Sequence, residues 1–152
     1  MIEIINGNIF DGNDDIICHQ VNNHGVMGAG IALQIKERFP EVFAAYEEKC
    51  RDFSKYDINP LGNVLFCFTK YFQPLIANLF SQIGMSTDYN ALEKCLKIVY
   101  DYCKINKTSV AIPYKMGCGI AKGDWNTVYG IIEEIFDKDD VKCVIYKLED
   151  VQ

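Results

Sequence analysis

The spacing of apolar residues changes several times along the chain, and each spacing predicts a different kind of element. Short runs that are apolar throughout or at alternate positions predict strands, because side chains in a strand repeat every two residues. Apolar residues three and four positions apart predict helices with one buried face. The predicted strands cover residues 2–5, 16–21, 64–69, 109–112 and 141–148, a further apolar run covers 75–80, and the predicted helices cover 31–39, 40–50, 88–104 and 125–136.

Strands that alternate with helices in this order predict an α/β domain. Since each crossover places a helix on one face of the sheet, we expect three α/β/α layers around a central mixed, largely parallel sheet. The chain of 152 residues contains no linker, internal repeat or low-complexity segment, so residues 1–152 are predicted to form a single domain. The segments 52–62 and 81–86 are predicted to be loops.

Two glycine-rich loops follow predicted strands. The first runs from Asn22 to Gly30, and the second, 114–123, contains Gly117, Gly119 and Gly123. Glycines let the backbone approach an anion, and the N–H groups at the start of the next helix point toward it. Because ligands of open α/β sheets bind outside the carboxyl ends of the strands, the two loops are predicted to clasp one anion, and a diphosphate fits best.

Neither loop is diagnostic by itself. The spacing Gly25-x-x-Gly28-x-Gly30 differs from the dinucleotide fingerprint and from the Walker loop, and it is equally consistent with ligand binding and with a structural turn. In the second loop, Cys118 invites comparison with the nucleophile of a cysteine phosphatase. That chemistry needs an arginine six positions later, where this chain has Asp124. A thiolate nucleophile is therefore not expected.

Charge and cysteine content exclude several classes of partner. The formal charge of −6 disfavours non-specific binding to nucleic acids and to anionic membranes. The apolar runs are too short to cross a membrane, and the N-terminus lacks the features of a signal peptide, which predicts a cytoplasmic protein. The seven cysteines form no Cys-x-x-Cys pair and only two histidines are present, so a metal site is not expected. No cofactor is predicted.

The polar residues around the first loop are candidates for ligand contacts. His19, inside a predicted strand, is expected to be a hydrogen-bonded core histidine, whereas His24 in the loop is a candidate for substrate contact. The amides of Asn22 and Asn23 can orient a ribose hydroxyl or a water, although asparagines also favour turns that bind nothing. Thr87 or Asp88 is predicted to cap the helix 88–104, and Asp124 is predicted to cap the last helix.

Five segments distributed over the whole chain form a specific set. They are Gly7-Asn8-Ile9-Phe10, His19-x-x-Asn22-Asn23, residues 26–32 with Phe39-Pro40, Thr87-x-Tyr89, and Ile112-Pro113 followed by 117–125. Together they resemble the macro domain family of ADP-ribose-binding modules, nearest to the branch of the terminal ADP-ribose protein glycohydrolase and the yeast-type ADP-ribose 1''-phosphate phosphatases. The resemblance implies that Asn8 and Ile9 contact the adenine and that Asn22, Asn23 and His24 surround the distal ribose. It also implies that the diphosphate is held between two sets of residues. One set is Gly28, Ala29, Gly30 and Ile31, and the other is Gly117, Cys118, Gly119, Ile120 and Ala121.

Two positions depart from the family pattern. The family commonly has an aspartate where this chain has Asn8, and that carboxylate accepts a hydrogen bond from the adenine amino group, so the resemblance implies a weaker preference for adenine. The glycohydrolase branch uses a lysine from the region after the fourth strand and an aspartate in the second glycine loop. Asn78-Leu79 and Ala121 align with those positions, so a lysine-adduct mechanism is not expected.

The resemblance implies a protein that binds ADP-ribose or an ADP-ribosylated substrate. One function is hydrolysis of a substituent on the distal ribose (a 1''-phosphate, an acyl ester or an ADP-ribosyl linkage), with His24 and Asn23 as candidate catalytic residues. The alternative is a non-catalytic reader of ADP-ribosylated macromolecules, and a third interpretation is a general nucleotide binder. The sequence does not define the oligomeric state.

Overall fold

A six-stranded sheet forms the centre of the computed structural model, which describes residues 1–148. In chain order the strands are β1 (Ile2–Asn6), β2 (Ile16–Val21), β3 (Val64–Phe68), β4 (Leu75–Phe80), β5 (Gln82–Ile83), β6 (Ser86–Thr87), β7 (Val110–Pro113) and β8 (Cys143–Lys147). The sheet order is β1-β8-β7-β2-β4-β3, and only the β3–β4 pair is antiparallel within this sheet, while β5 and β6 form a separate antiparallel pair. This confirms the predicted mixed, largely parallel sheet. Residues 149–152 of the predicted domain lie outside the described residues.

Four helices cover the two faces of the sheet. They are α1 (Gly30–Arg38), α2 (Pro40–Lys55), α3 (Tyr89–Asn106) and α4 (Trp125–Phe136). The first two helices pack in one apolar cluster with Ile17 and Val21 of β2, and the last two pack in a second cluster with Ile16 and Cys18. Because consecutive side chains of a strand point to opposite faces, β2 contributes to both clusters and is buried on both sides. The three-layer prediction is confirmed.

The second helix is longer than predicted. It runs to Lys55 rather than to residue 50, so the first part of the predicted loop 52–62 is helical. Phe53 accounts for the difference, since it continues the buried stripe of Tyr46 and Cys50 and is only 5% exposed. Its ring meets Phe80 edge-on, with the centroids 5.1 Å apart. One aromatic contact therefore fixes a helix turn that is otherwise made of charged and polar residues.

The predicted loop 81–86 contains the short hairpin of β5 and β6. Gly84 lies at its tip with a positive φ of 54°, a conformation that glycine adopts without steric cost. The hairpin leads directly into α3, and of the two predicted caps Asp88 is the one observed: its carboxylate accepts a hydrogen bond from the Ala91 N–H at 2.9 Å. Asp124 caps α4 in the same way through the Thr127 N–H.

His19 is a core residue, as predicted. It is fully buried on β2, and its Nε2 lies 2.6 Å from Oδ1 of Asn78 on the neighbouring strand β4. The Asn78 Nδ2 donates to the Leu65 carbonyl, so Oδ1 is the acceptor and His19 donates from Nε2. Burial lowers the pKa of His19 to about 4, although the bond to Asn78 opposes the shift.

We expect His19 to remain neutral in the folded protein at pH values where an ordinary histidine is protonated. Because its pKa of about 4 lies below the usual 6.5, the unfolded chain binds the proton more readily. The stability that neutral His19 contributes is therefore present above pH 6.5 and is lost as the pH falls toward 4. In His24→Gln, where His19 is the only histidine, NMR should show an uncharged ring with Nε2 protonated down to about pH 5. A ring that titrates near the usual pKa would contradict this.

Candidate functional site

A cleft opens at the carboxyl ends of β2 and β7, between the two glycine-rich loops. Its main part has a volume of about 620 Å³, and an adjoining hollow of about 200 Å³ shares Ile31, Pro113 and Tyr114 with it. The main part alone has the size of a small-molecule site. The other residues that line the main cleft are Gln20, Val21, Asn22, Val26, Met27, Gly28, Ala29, Gly30, Ala32, Gln82, Lys115, Met116, Gly117, Gly119, Ile120 and Ala121, and those that line the hollow are Gly7, Asn8, Ile9, Gln34, Tyr146 and Leu148.

The first loop delivers the start of α1 to the cleft. Gly25 and Gly30 have positive φ values of 75° and 56°, which favour glycine at these two points of the turn. No side chain caps α1, because the residue before it is Ala29. The N–H groups of its first turn therefore have no side-chain partner at this end, and they can donate to an anion in the cleft.

The second loop is fixed against the hairpin and against β2. The Thr87 hydroxyl donates to the Gly117 carbonyl at 2.7 Å, and the same carbonyl accepts from the Gly123 N–H at 2.8 Å. The Thr87 N–H donates to the Ala121 carbonyl at 3.0 Å. Gln20 of β2 donates to the Thr87 hydroxyl. These bonds close the loop into a rigid wall opposite the start of α1.

The two glycine loops that face each other across the cleft both lie within the range matched by one family model. The family model described as "Macro domain" matches residues 18–132. The chain belongs to the macro domain family.

Several known proteins resemble this macro domain over nearly its whole length. The solved macrodomain of Mycobacterium tuberculosis DarG is 29% identical, with a TM-score of 0.83 over 98% of this chain and 99% of that one. The human protein named ADP-ribose glycohydrolase OARD1 is 26% identical over 97% of this chain and 91% of its own length. The DNA ADP-ribosyl glycohydrolase of M. tuberculosis is 28% identical over 96% of this chain but only 42% of its own length.

Most of the predicted ligand-binding residues of the macro domain line the cleft. Asn8, Ile9 and Ile31 lie at the small hollow, and Asn22, Gly28, Ala29, Gly30, Ile31, Gly117, Gly119, Ile120 and Ala121 lie along the main part. Cys118 is not among the residues that line the cleft, because its half-buried side chain packs against the apolar cluster of α3 and α4. Its Sγ lies 3.5 Å from the Met116 carbonyl, and burial raises the pKa of the thiol. Both features disfavour a thiolate in the cleft.

The structure does not bring Asn23 and His24 to the wall of the cleft. Both are exposed on the turn that follows β2. The turn is closed by the Asn22 side chain, whose Oδ1 accepts from the His24 N–H at 2.9 Å and whose Nδ2 donates to the Val26 carbonyl at 3.2 Å. Asn22 lines the cleft, but both ends of its amide make hydrogen bonds within the loop instead of orienting a ribose hydroxyl. The catalytic roles of Asn23 and His24 stay predictions.

The side chain of Asn8 is oriented by the backbone beside it. Its Oδ1 accepts from the Phe10 N–H at 3.0 Å and caps the short 3₁₀ turn Ile9–Asp11. A backbone N–H can bond only to the oxygen of the amide, and that oxygen keeps a second lone pair. Asn8 can therefore present both an acceptor and its NH₂ donors to a ligand. The predicted contact of Asn8 with adenine stays a prediction.

The residues aligned with the catalytic lysine and aspartate of the related branch occupy different places. Asn78 and Leu79 lie inside β4 and are fully buried, so they are not at the end of that strand as the alignment implied. The residues that follow β4 are Ser81 and Gln82, and Gln82 lines the cleft. Ala121 lines it from the opposite loop. Neither position supplies a charged group.

The sequence interpretation missed several residues that line the cleft. Lys115 is the single charged side chain among the described lining residues, and Gln20 and Gln82 add neutral amides. Tyr114 and Tyr146 flank the small hollow. Gln20 could have been found, because it is a polar residue near the end of a largely apolar strand. Lys115 and the tyrosines carry no local signal, since lysine and tyrosine are common in loops and at strand ends.

No helix in the described part of the chain is long and apolar enough to span a membrane. Among residues 1–148, no three His, Cys, Asp or Glu side chains are grouped as a metal site requires.

Proposed function

We propose that this macro domain binds ADP-ribose or an ADP-ribose derivative and hydrolyses a substituent on the distal ribose. The observation that carries the proposal is the pair of glycine loops that face each other across the cleft of about 620 Å³. The diphosphate lies between the start of α1 and the second loop, and the base enters the hollow between Tyr114 and Tyr146. The names of the relatives support this assignment, since they describe glycohydrolases that act on ADP-ribose or ADP-ribosylated DNA.

The hydrolysis that we propose depends on positioning more than on a strong base. Lys115, Asn22, Gln20 and Gln82 supply the polar side chains of the main cleft. The loops would hold the distal ribose, and an amide would orient the attacking water. Asn23 and His24 remain candidates for contacting the leaving group from the exposed turn beside the cleft.

Binding and turnover are tested separately. Calorimetric titration of ADP-ribose measures binding, with ATP and NAD as competitors. Failure to bind at millimolar concentration would refute the proposal, and equal competition by ATP and NAD would favour a general nucleotide binder. Turnover is then measured on ADP-ribose 1''-phosphate, O-acetyl-ADP-ribose, ADP-ribosylated protein and ADP-ribosylated DNA.

The second candidate function is a reader that binds ADP-ribosylated macromolecules without cleaving them. It is favoured by the lack of a charged group at Asn78-Leu79 and Ala121, the positions aligned with the lysine and the aspartate that the resemblance implies for the glycohydrolase branch. Gln82, which follows β4 and lines the cleft, is neutral as well. Binding without turnover on any of the four substrates would support the reader. Turnover that Gly30→Glu abolishes would exclude it, because that variant blocks the start of α1.

Asn8→Asp should tighten the binding of ADP-ribose roughly three- to tenfold, the effect of one added hydrogen bond. One carboxylate oxygen can keep the Phe10 N–H, and the other can accept from the amino group of adenine. Asn13→Asp is the matched control, since it adds the same charge at an exposed position nearby that does not line the hollow. Calorimetry measures the affinity of both variants for ADP-ribose. An unchanged or weaker affinity of Asn8→Asp would show that adenine does not present its amino group to this residue.

A further inference from the structure

A residue that does not line the cleft reaches the first glycine loop from behind. Tyr46 of α2 is fully buried, and its ring stacks on Phe80 with the centroids 5.9 Å apart. Its hydroxyl lies 2.7 Å from the Asn22 carbonyl, 2.7 Å from Asn22 Oδ1 and 3.4 Å from the Val26 carbonyl. The hydroxyl thus faces three acceptors at the two ends of the turn 22–26.

The Asn22 side chain completes the same network. It accepts from the His24 N–H and donates to the Val26 carbonyl, which is also within reach of the Tyr46 hydroxyl. A hydroxyl carries one proton, so it donates to one of its three acceptors at a time while the others stay close. The turn is therefore held from inside by Asn22 and from the protein core by Tyr46. The Tyr46 end of this network is buried, whereas the bonds of Asn22 to His24 and Val26 lie at exposed positions.

We propose that the Tyr46 hydroxyl and the Asn22 amide hold the first glycine loop in the conformation that binds the distal half of the ligand. We call this pair of groups the latch. The turn 22–26 leads directly into Met27, Gly28 and Gly30, so its shape determines where the start of α1 meets the cleft. Asn22 and Val26 line the main cleft but not the small hollow. The latch therefore acts on the diphosphate and the distal ribose and leaves the base site unchanged. Tyr46 is a positioning residue in this assignment, which rests on the proposed function.

Tyr46→Phe tests the latch without disturbing the core. The ring and its stack on Phe80 remain, and only the hydroxyl is lost. Preorganised loops bind more tightly because less order is created on binding. We expect the Kd for ADP-ribose to rise about tenfold, the size of one lost hydrogen bond. The Kd for AMP, which fills the base end and is followed by NMR shift titration, should change less than about twofold.

Tyr56→Phe is the matched control, because Tyr56 follows the last turn of α2 and is 62% exposed. It should leave both affinities at the wild-type values. Equal weakening of ADP-ribose and AMP by Tyr46→Phe would mean a general structural role and would overturn the latch. Unchanged affinity for ADP-ribose would overturn it as well.

A second measurement needs no ligand. In the unliganded protein, the His24 amide is bonded to Asn22 Oδ1, so its hydrogen exchange reports directly on the turn. We expect faster exchange of this amide in Tyr46→Phe than in the wild type or in Tyr56→Phe, and equal rates would refute the latch. If the wild type binds neither ADP-ribose nor AMP, the proposed function fails, while the exchange rates still decide whether the hydroxyl holds the loop.

Discussion

Gly30→Glu is expected to weaken the binding of ADP-ribose by at least about 100-fold, which corresponds to roughly 2.7 kcal/mol. Gly30 is the first residue of α1 and lines the cleft. A Cβ at this position would meet no atom within 4 Å, so the new side chain would extend into open space rather than into the protein. Its carboxylate would compete for the N–H groups of the first helical turn and repel the diphosphate. Calorimetric titration with ADP-ribose measures the loss.

Two control variants separate the charge from its other consequences. Gly130→Glu adds the same side chain on α4, where a Cβ also meets nothing within 4 Å, so it tests the effect of overall charge. It should bind like the wild type. Gly30→Ala tests the backbone, because Gly30 has a φ of 56° that strains any L-residue. A loss in Gly30→Ala as large as that in Gly30→Glu would mean that loop conformation, and not the blocked anion site, is the cause.

The order of strands and helices could be predicted because apolar spacing is a local property. The run 16–21 predicted β2 with its observed bounds. Asp88, one of the two candidate caps for α3, and Asp124, the candidate for α4, are where these helices begin. The end of α2 could not be predicted, because one phenylalanine among charged residues becomes part of the stripe only when Phe80 is placed beside it. The hairpin of β5 and β6 is too short to produce a pattern.

The candidate site likewise has features that the sequence predicted and features that only the structure revealed. The glycines of both loops were predicted because the residue type itself carries the signal. The uses of the asparagine side chains were not, since the amide of Asn22 is engaged by Tyr46 from another element and that of Asn8 is oriented by the Phe10 N–H. Residue identity states which bonds an amide can make, and only the folded chain states which of them are already made.

Gly117→Ala should lower the free energy of unfolding by about 2–4 kcal/mol, the combined size of a left-handed backbone penalty and a tight overpacking. Gly117 has a φ of 76°, and a Cβ on it would lie 2.3 Å from Gln20 Oε1 and 3.0 Å from the Thr87 hydroxyl. Either the Gln20 amide must turn aside or the loop must move, and both changes weaken the hold of Gln20 and Thr87 on the loop, which should also weaken ADP-ribose binding. Urea unfolding of the unliganded protein measures the first effect.

The matched control for Gly117→Ala lies two residues further along the same loop. Gly119 also lines the cleft, but a Cβ there meets nothing within 4 Å. Gly119→Ala should therefore change the free energy of unfolding by less than about 0.5 kcal/mol. Equal destabilisation by the two variants would mean that the loop as a whole tolerates no added carbon. A difference between them would locate the requirement at Gly117 itself, in its left-handed backbone and in its contact with Gln20 and Thr87, through which β2 and the hairpin hold the second wall of the cleft.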